Sequence, residues 1–160
     1  MACPYFIPIE VLAGDLWPHR PRLPLGDGFT GTCCVQPESP AAPSEEELRQ
    51  FCNLGYAAAY SCKCPRFPES RDFDAIRVGV VRDDESTLSV AFACERDFVA
   101  IDHGNLVYDC ASGTWTTAHP DPRVQSKAEA YVRTYLLRRP RRHRADTQRV
   151  LVQTALSQVT

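Results

Sequence analysis

The chain has eight cysteines, and six of them fall within its first 64 residues: Cys3, Cys33, Cys34, Cys52, Cys62 and Cys64. Two of the six run straight into proline, as Cys3-Pro4 and Cys64-Pro65. A thiol placed on a loop is usually a metal ligand, half of a disulfide or a reactive group. The crowding therefore points to something bound or crosslinked near the N-terminus.

The spacing narrows the options without closing them. Zinc knuckles pair their cysteines as C-x₂₋₄-C, and this sequence has no such pair. Dispersed single cysteines suit a polynuclear cluster, whose ligands attach to separate iron atoms, and cysteine followed by proline recurs at iron–sulfur ligands. Proline after the ligand removes an amide donor and stiffens the turn. An iron–sulfur cluster leads on these residues, [4Fe–4S] before other types. Zinc, disulfides or redox-active thiols, and no bound group at all are the alternatives. Cys94 alternates with apolar neighbours and Cys110 ends a hairpin, so both read as small hydrophobes.

Other side chains offer less. His19 lies among the N-terminal loops, where it could replace one cysteine in a mixed site. Asp102-His103 precedes Gly104 in an expected turn, with no nucleophile nearby for a base to serve. No P-loop, G-x-G-x-x-G or G-x-S-x-G motif is present, so no catalytic residue is assigned and an enzyme is not the favoured reading. Arg138, Arg139, Arg141, Arg142 and Arg144 form the one basic run. Arginine suits phosphate, which makes a nucleic-acid contact conceivable. Yet no aromatic residue is interleaved, and a solvated helix junction accounts for the run as well.

The elements that must position these groups change character near residue 70. Ten of the thirteen prolines lie in residues 1–70, against long helices and interior strands there. Residues 1–43 read as extended loop and turns, though too apolar for a solvated tail. One short helix interrupts them: Ser44 and Glu47 make a capping box, Leu48, Phe51, Cys52 and Tyr56 follow at helical spacing, and Gly55 ends it. Beyond residue 70, strands are expected at 73–81, 87–94, 105–109 and 114–117, and Pro122 opens an amphipathic helix that Pro140 breaks. A further helix is expected at 146–158. The fold class is α+β: an irregular cysteine- and proline-rich segment, 1–70, then a three- or four-stranded antiparallel sheet packed by a C-terminal helix, 71–160, forming one integrated domain.

At 160 residues, with 44% hydrophobic and 24% charged residues, the composition is that of a soluble globular protein. The opening residues lack a basic stretch followed by an apolar run, so a cytoplasmic, reducing environment is expected. The net charge of −2 hides an asymmetry: residues 123–160 hold nine Lys/Arg against two Asp/Glu, while residues 1–122 hold nine against eighteen. A basic helix lying on the acidic body of its own domain accounts for that pattern.

Four stretches carry a resemblance: Cys3-Pro4-Tyr5-Phe6, the segment from Pro24 through Gly31 to Cys33, Cys52-Asn53-Leu54-Gly55-Tyr56-Ala57, and Cys64-Pro65-Arg66-Phe67-Pro68. They resemble a set of small bacterial four-cysteine proteins of unassigned role that open with Cys-Pro-Tyr-Phe. The resemblance implies Cys3, Cys33, Cys52 and Cys64 as the ligand set, leaves Cys34 and Cys62 as possible substitutes, and brings no activity with it. The expected protein is a small iron–sulfur protein in electron transfer or redox sensing, working with a protein or redox partner. A structural zinc- or cluster-stapled interaction protein, or a cluster-containing nucleic-acid-binding regulator, is the alternative.

Overall fold

The computed structural model describes residues 1–14, 16–55, 64–68 and 71–139. Cys62, Arg141, Arg142, Arg144, His143 and the helix expected at 146–158 lie outside them. The architecture is α+β, with two antiparallel sheets and two helices among the described residues. Alternating apolar residues build the larger sheet. β3 (Ala75–Asp83), β4 (Thr87–Arg96), β5 (Val99–Asp109) and β6 (Thr114–Thr117) follow one another as a meander. Ile76 pairs with Cys94, Val78 with Phe92 and Val80 with Val90, so one face collects the apolar set.

The C-terminal helix, numbered α2 here (Pro122–Arg138), closes that face. Asp121 caps it through its side chain on the Arg123 amide, and Pro122 occupies the first turn, where its missing N–H costs nothing. Val124, Ala128 and Val132 are fully buried from it, with Tyr131, Tyr135 and Leu136 half-buried alongside. α1 (Glu45–Glu47) carries the expected capping box between Ser44 and Glu47 and then widens into a π-turn over Leu48–Cys52.

The N-terminal region is more regular than its prolines suggested. β1 (Phe6–Val11) and β2 (Phe29–Cys33) form a two-stranded antiparallel sheet with a bulge after Pro8. A small sheet tolerates proline because few ladder bonds need its missing amide. Asp102-His103-Gly104 also departs from expectation: it is not a turn but the middle of β5, paired with Cys94, Ala93 and Phe92. The exposed β5 residues from Val99 to His103 show no in–out alternation, which is why the strand was unreadable there.

The cysteine-rich segment and the sheet share one core. Ala2 bridges Ile76 through both of its backbone groups, at 2.9 and 3.2 Å, and extends the β3 edge. Phe6, Leu25 and Phe29 pack with Ile76, Val90 and Val124. Arg133 of α2 donates to the Ile9 carbonyl at 2.8 Å, and the Thr134 hydroxyl to that of Leu25 at 2.7 Å.

Candidate metal centre

Four separate pieces of chain bring the thiols of Cys3, Cys33, Cys52 and Cys64 together. Each of the six pairs among them lies close enough for the thiolate charges to oppose one another. Burial first, then that repulsion, pushes the Cys3 thiol up to about 11 and Cys52 higher still. Cys64 is raised by burial as well. Thiols that resist ionisation beside one another give up their protons to a cation that binds all of them.

Two of the four segments are copies of one device. In Cys3-Pro4-Tyr5-Phe6 the Phe6 amide donates to the Cys3 carbonyl at 3.3 Å, and in Cys64-Pro65-Arg66-Phe67 the Phe67 amide donates to the Cys64 carbonyl at 2.9 Å. Each is a β-turn with proline at its second position, where the fixed φ fits. In each, the next amide, that of Tyr5 or Arg66, hydrogen-bonds the cysteine sulfur and favours its thiolate. The sequence shows Cys-Pro-x-Phe twice, yet only the turn geometry explains the repetition. The two turns touch through Tyr5 and Phe67, edge to face at 5.5 Å.

Cys33 ends β2, opposite Phe6 in β1. Its amide donates to the Ala41 carbonyl at 2.8 Å, and the Ala41 amide returns the bond at 3.2 Å. Its neighbour Cys34 points elsewhere: the Cys34 thiol donates to the Tyr5 carbonyl at 3.2 Å, beside the backbone bond from its own amide to the same oxygen. Of the adjacent pair, Cys33 is the one grouped with Cys3, Cys52 and Cys64.

Cys52, 6% exposed, ends the π-turn of α1. Asn53 fixes it there. The Asn53 side-chain oxygen accepts from the Phe29 amide at 2.8 Å, and its nitrogen donates to the carbonyls of Phe29 at 3.0 Å and Leu48 at 3.1 Å. One carboxamide thus pairs with both backbone groups of Phe29, as a neighbouring strand would. Gly55 follows in the left-handed region at φ +56°, and it packs on the backbone of Met1 to Cys3. A β-carbon there would come within 2.6 Å of the Ala2 carbonyl carbon and 2.7 Å of the Cys3 nitrogen. Glycine is required on both counts.

Tyr5 is held from the other side. Its hydroxyl donates to Asp72 at 3.0 Å, and Arg123 of α2 meets Asp72 through two bonds, at 3.0 and 2.6 Å. Arg123 also pairs with Asp121 at 2.7 Å and stacks over Phe73 at 4.8 Å. The Arg123 guanidinium holds the Asp72 carboxyl down to about 2, and burial together with Asp72 pushes the Tyr5 hydroxyl up to about 12. Tyr5 and Phe6 are buried, Phe51 and Phe67 half-buried.

Lys127 is the residue that sequence reasoning passed over. It is 0% exposed, and its ammonium donates to the carbonyls of Pro4 at 3.3 Å, Phe6 at 2.7 Å and Arg123 at 3.1 Å. Its place within the apolar stripe, between Val124 and Ala128, was the available signal. Cys94 is buried, and Cys110 lies at the end of β5 with Arg139 3.8 Å from its sulfur. His19 is exposed at the head of a short 3₁₀ turn (Arg20–Arg22). His119 accepts from the Asp121 amide at 3.0 Å and faces Asp102 at 3.5 Å. Of the basic run, Arg138 is paired with Asp27 at 3.1 Å and bonds the Gly26 carbonyl, while Arg139 is paired with Asp83.

Among the described residues, no three His, Cys, Asp or Glu side chains are gathered as tightly as one metal ion requires. No helix is long and apolar enough to cross a membrane, again among the described residues. Comparison of the chain with protein-family models, with curated proteins and with solved structures finds no match.

Proposed function

We propose that the chain is a small iron–sulfur protein whose centre, a [4Fe–4S] cluster, is held by Cys3, Cys33, Cys52 and Cys64 and serves in electron transfer or redox sensing with a partner protein. The observation that carries the reading is the convergence of four thiols from four segments, with two of them receiving amide hydrogen bonds in matching Cys-Pro turns. Cluster ligands attach to separate irons and need no tight gathering of side chains around one ion. When bound, the cluster supplies one-electron chemistry. The chain's own residues supply the rest: Tyr5, Phe6, Phe51 and Phe67 limit water, and the Tyr5 and Arg66 amides stabilise thiolate charge. Cys34 is the substitute ligand only if its bond to the Tyr5 carbonyl is given up.

A structural centre, zinc or cluster, is the second reading, and one observation favours it: the thiols join the N-terminal turn to α1 and to the Cys64 turn, so a bound metal would staple an irregular segment. A nucleic-acid regulator is weaker, because Arg138 and Arg139 are engaged by Asp27 and Asp83. The test is an absorption spectrum with iron, sulfide and zinc analysis on protein purified without oxygen. A brown protein with about four iron and four sulfide per chain supports the cluster. A colourless protein with about one zinc transfers the assignment to the structural reading, and neither metal overturns both.

A further inference from the structure

Lys127 is a fully buried ammonium whose three donors are matched by three carbonyls, and none of those partners carries a negative charge. Carbonyls satisfy hydrogen bonds, but they do not neutralise a cation, and a buried charge without a counter-charge costs several kcal/mol. Among the described residues no carboxylate forms a salt bridge with it. Two of its acceptors, Pro4 and Phe6, belong to the turn that presents Cys3. The groups that most favour its charge are the sulfurs of Cys3 and Cys34. Burial lowers its pKa from the ordinary lysine value to about 8.

We propose that Lys127 is the built-in counter-charge of the thiolate centre, placed by α2 behind the Cys3 turn to favour the centre's reduced, more negative state. The inference rests on the cluster reading above. A cluster with four thiolates carries net negative charge and gains one more on accepting an electron. A fixed cation beside it therefore stabilises the reduced form more than the oxidised one. Lys127 acts here as a positioning and charge-setting residue, with no contact to iron required.

The experiment compares the anaerobic wild type with Lys127→Gln and Lys127→Met, first by iron and sulfide content and then by mediated potentiometry. Glutamine keeps an amide donor for the carbonyls and removes the charge, whereas methionine removes both. The expected result is loading in all three and a reduction equilibrium at least tenfold less favourable in both variants, about 59 mV more negative for a one-electron couple. A midpoint unchanged in the glutamine variant, with or without a shift in the methionine one, overturns the counter-charge. A wild type that takes up no iron and sulfide overturns the cluster reading itself, which is a different failure. Should either variant not fold, the unperturbed lysine can be read directly. The chain holds only two lysines, Lys63 and Lys127, so ¹⁵N-lysine labelling of Lys63→Arg marks Lys127 alone. Pulsed electron–nuclear spectroscopy of the reduced centre should then detect that nitrogen by dipolar coupling, and its absence would refute the placement.

Discussion

Asn53 offers the sharpest test of how the site is held. Its carboxamide substitutes for a strand beside Phe29, bonding both the amide and the carbonyl of that residue from a position 1% exposed. Replacing it with alanine leaves both Phe29 groups without that partner, while the Leu48 carbonyl keeps the Asn53 backbone amide at 3.3 Å. Each orphaned buried group costs about 1–3 kcal/mol, so Asn53→Ala, which orphans two, should lose roughly 2–6 kcal/mol. Asn53→Asp tests the polarity of the same bonds. One carboxylate oxygen can still accept from the Phe29 amide, but the other must face two carbonyls, so the aspartate variant should recover stability when acid protonates it. Urea unfolding of both variants and the wild type, at neutral pH and near pH 4, reads this as midpoints. The reasoning fails if alanine moves stability by less than about 0.5 kcal/mol, the range of an ordinary surface change, or if the aspartate variant is indifferent to pH.

Three further outcomes follow from the same geometry. Cys33→Ser should abolish iron and sulfide uptake while Cys34→Ser leaves it near wild type, and the reverse order of losses would reassign the ligand. Gly55→Ala must strain a left-handed residue and push against the Ala2–Cys3 backbone, so it should lower both thermal stability and metal retention; a melting temperature equal to wild type would show that the contact can relax. Asp72 has its carboxyl held down to about 2 by Arg123, against an ordinary value of 3.8. Its contribution is therefore complete above about pH 4 and lost as pH falls through about 2. Because Asp72 is half-exposed, the effect is discounted to under about 1 kcal/mol. Asp72→Asn should show a smaller stability loss between pH 5 and 2.5 than wild type, and equal losses would mean that the pair contributes nothing.

The strands β3 and β4 and the helix α2 could be read from sequence because their burial is periodic: Ile76, Val78 and Val80 alternate, and Val124, Ala128 and Val132 recur every four residues. The capping box at Ser44 was legible for the same local reason. What escaped depended on distant partners. β1 hid behind Pro8, and its pairing is with a strand some twenty residues on. Lys127 reads as a solvated cation until carbonyls from residues 4 and 6 arrive over it. The choice between Cys33 and Cys34 turns on which thiol the Tyr5 carbonyl claims, and no spacing rule encodes that.

The docking of Ala2 beside Ile76 has a consequence for the order in which the protein can be made. Residues 3 to 64 are synthesised ahead of residues 75 to 117, so all four thiols leave the ribosome before the four-stranded sheet does. Yet Ala2, beside the first turn, is held by Ile76, and the turn itself, later still, by Lys127. A nascent chain of the first seventy residues has the ligands without the wall that arranges them. On the cluster proposal, metal should therefore enter only after α2 has been made, and residues 1–70 alone should fail to take up iron and sulfide.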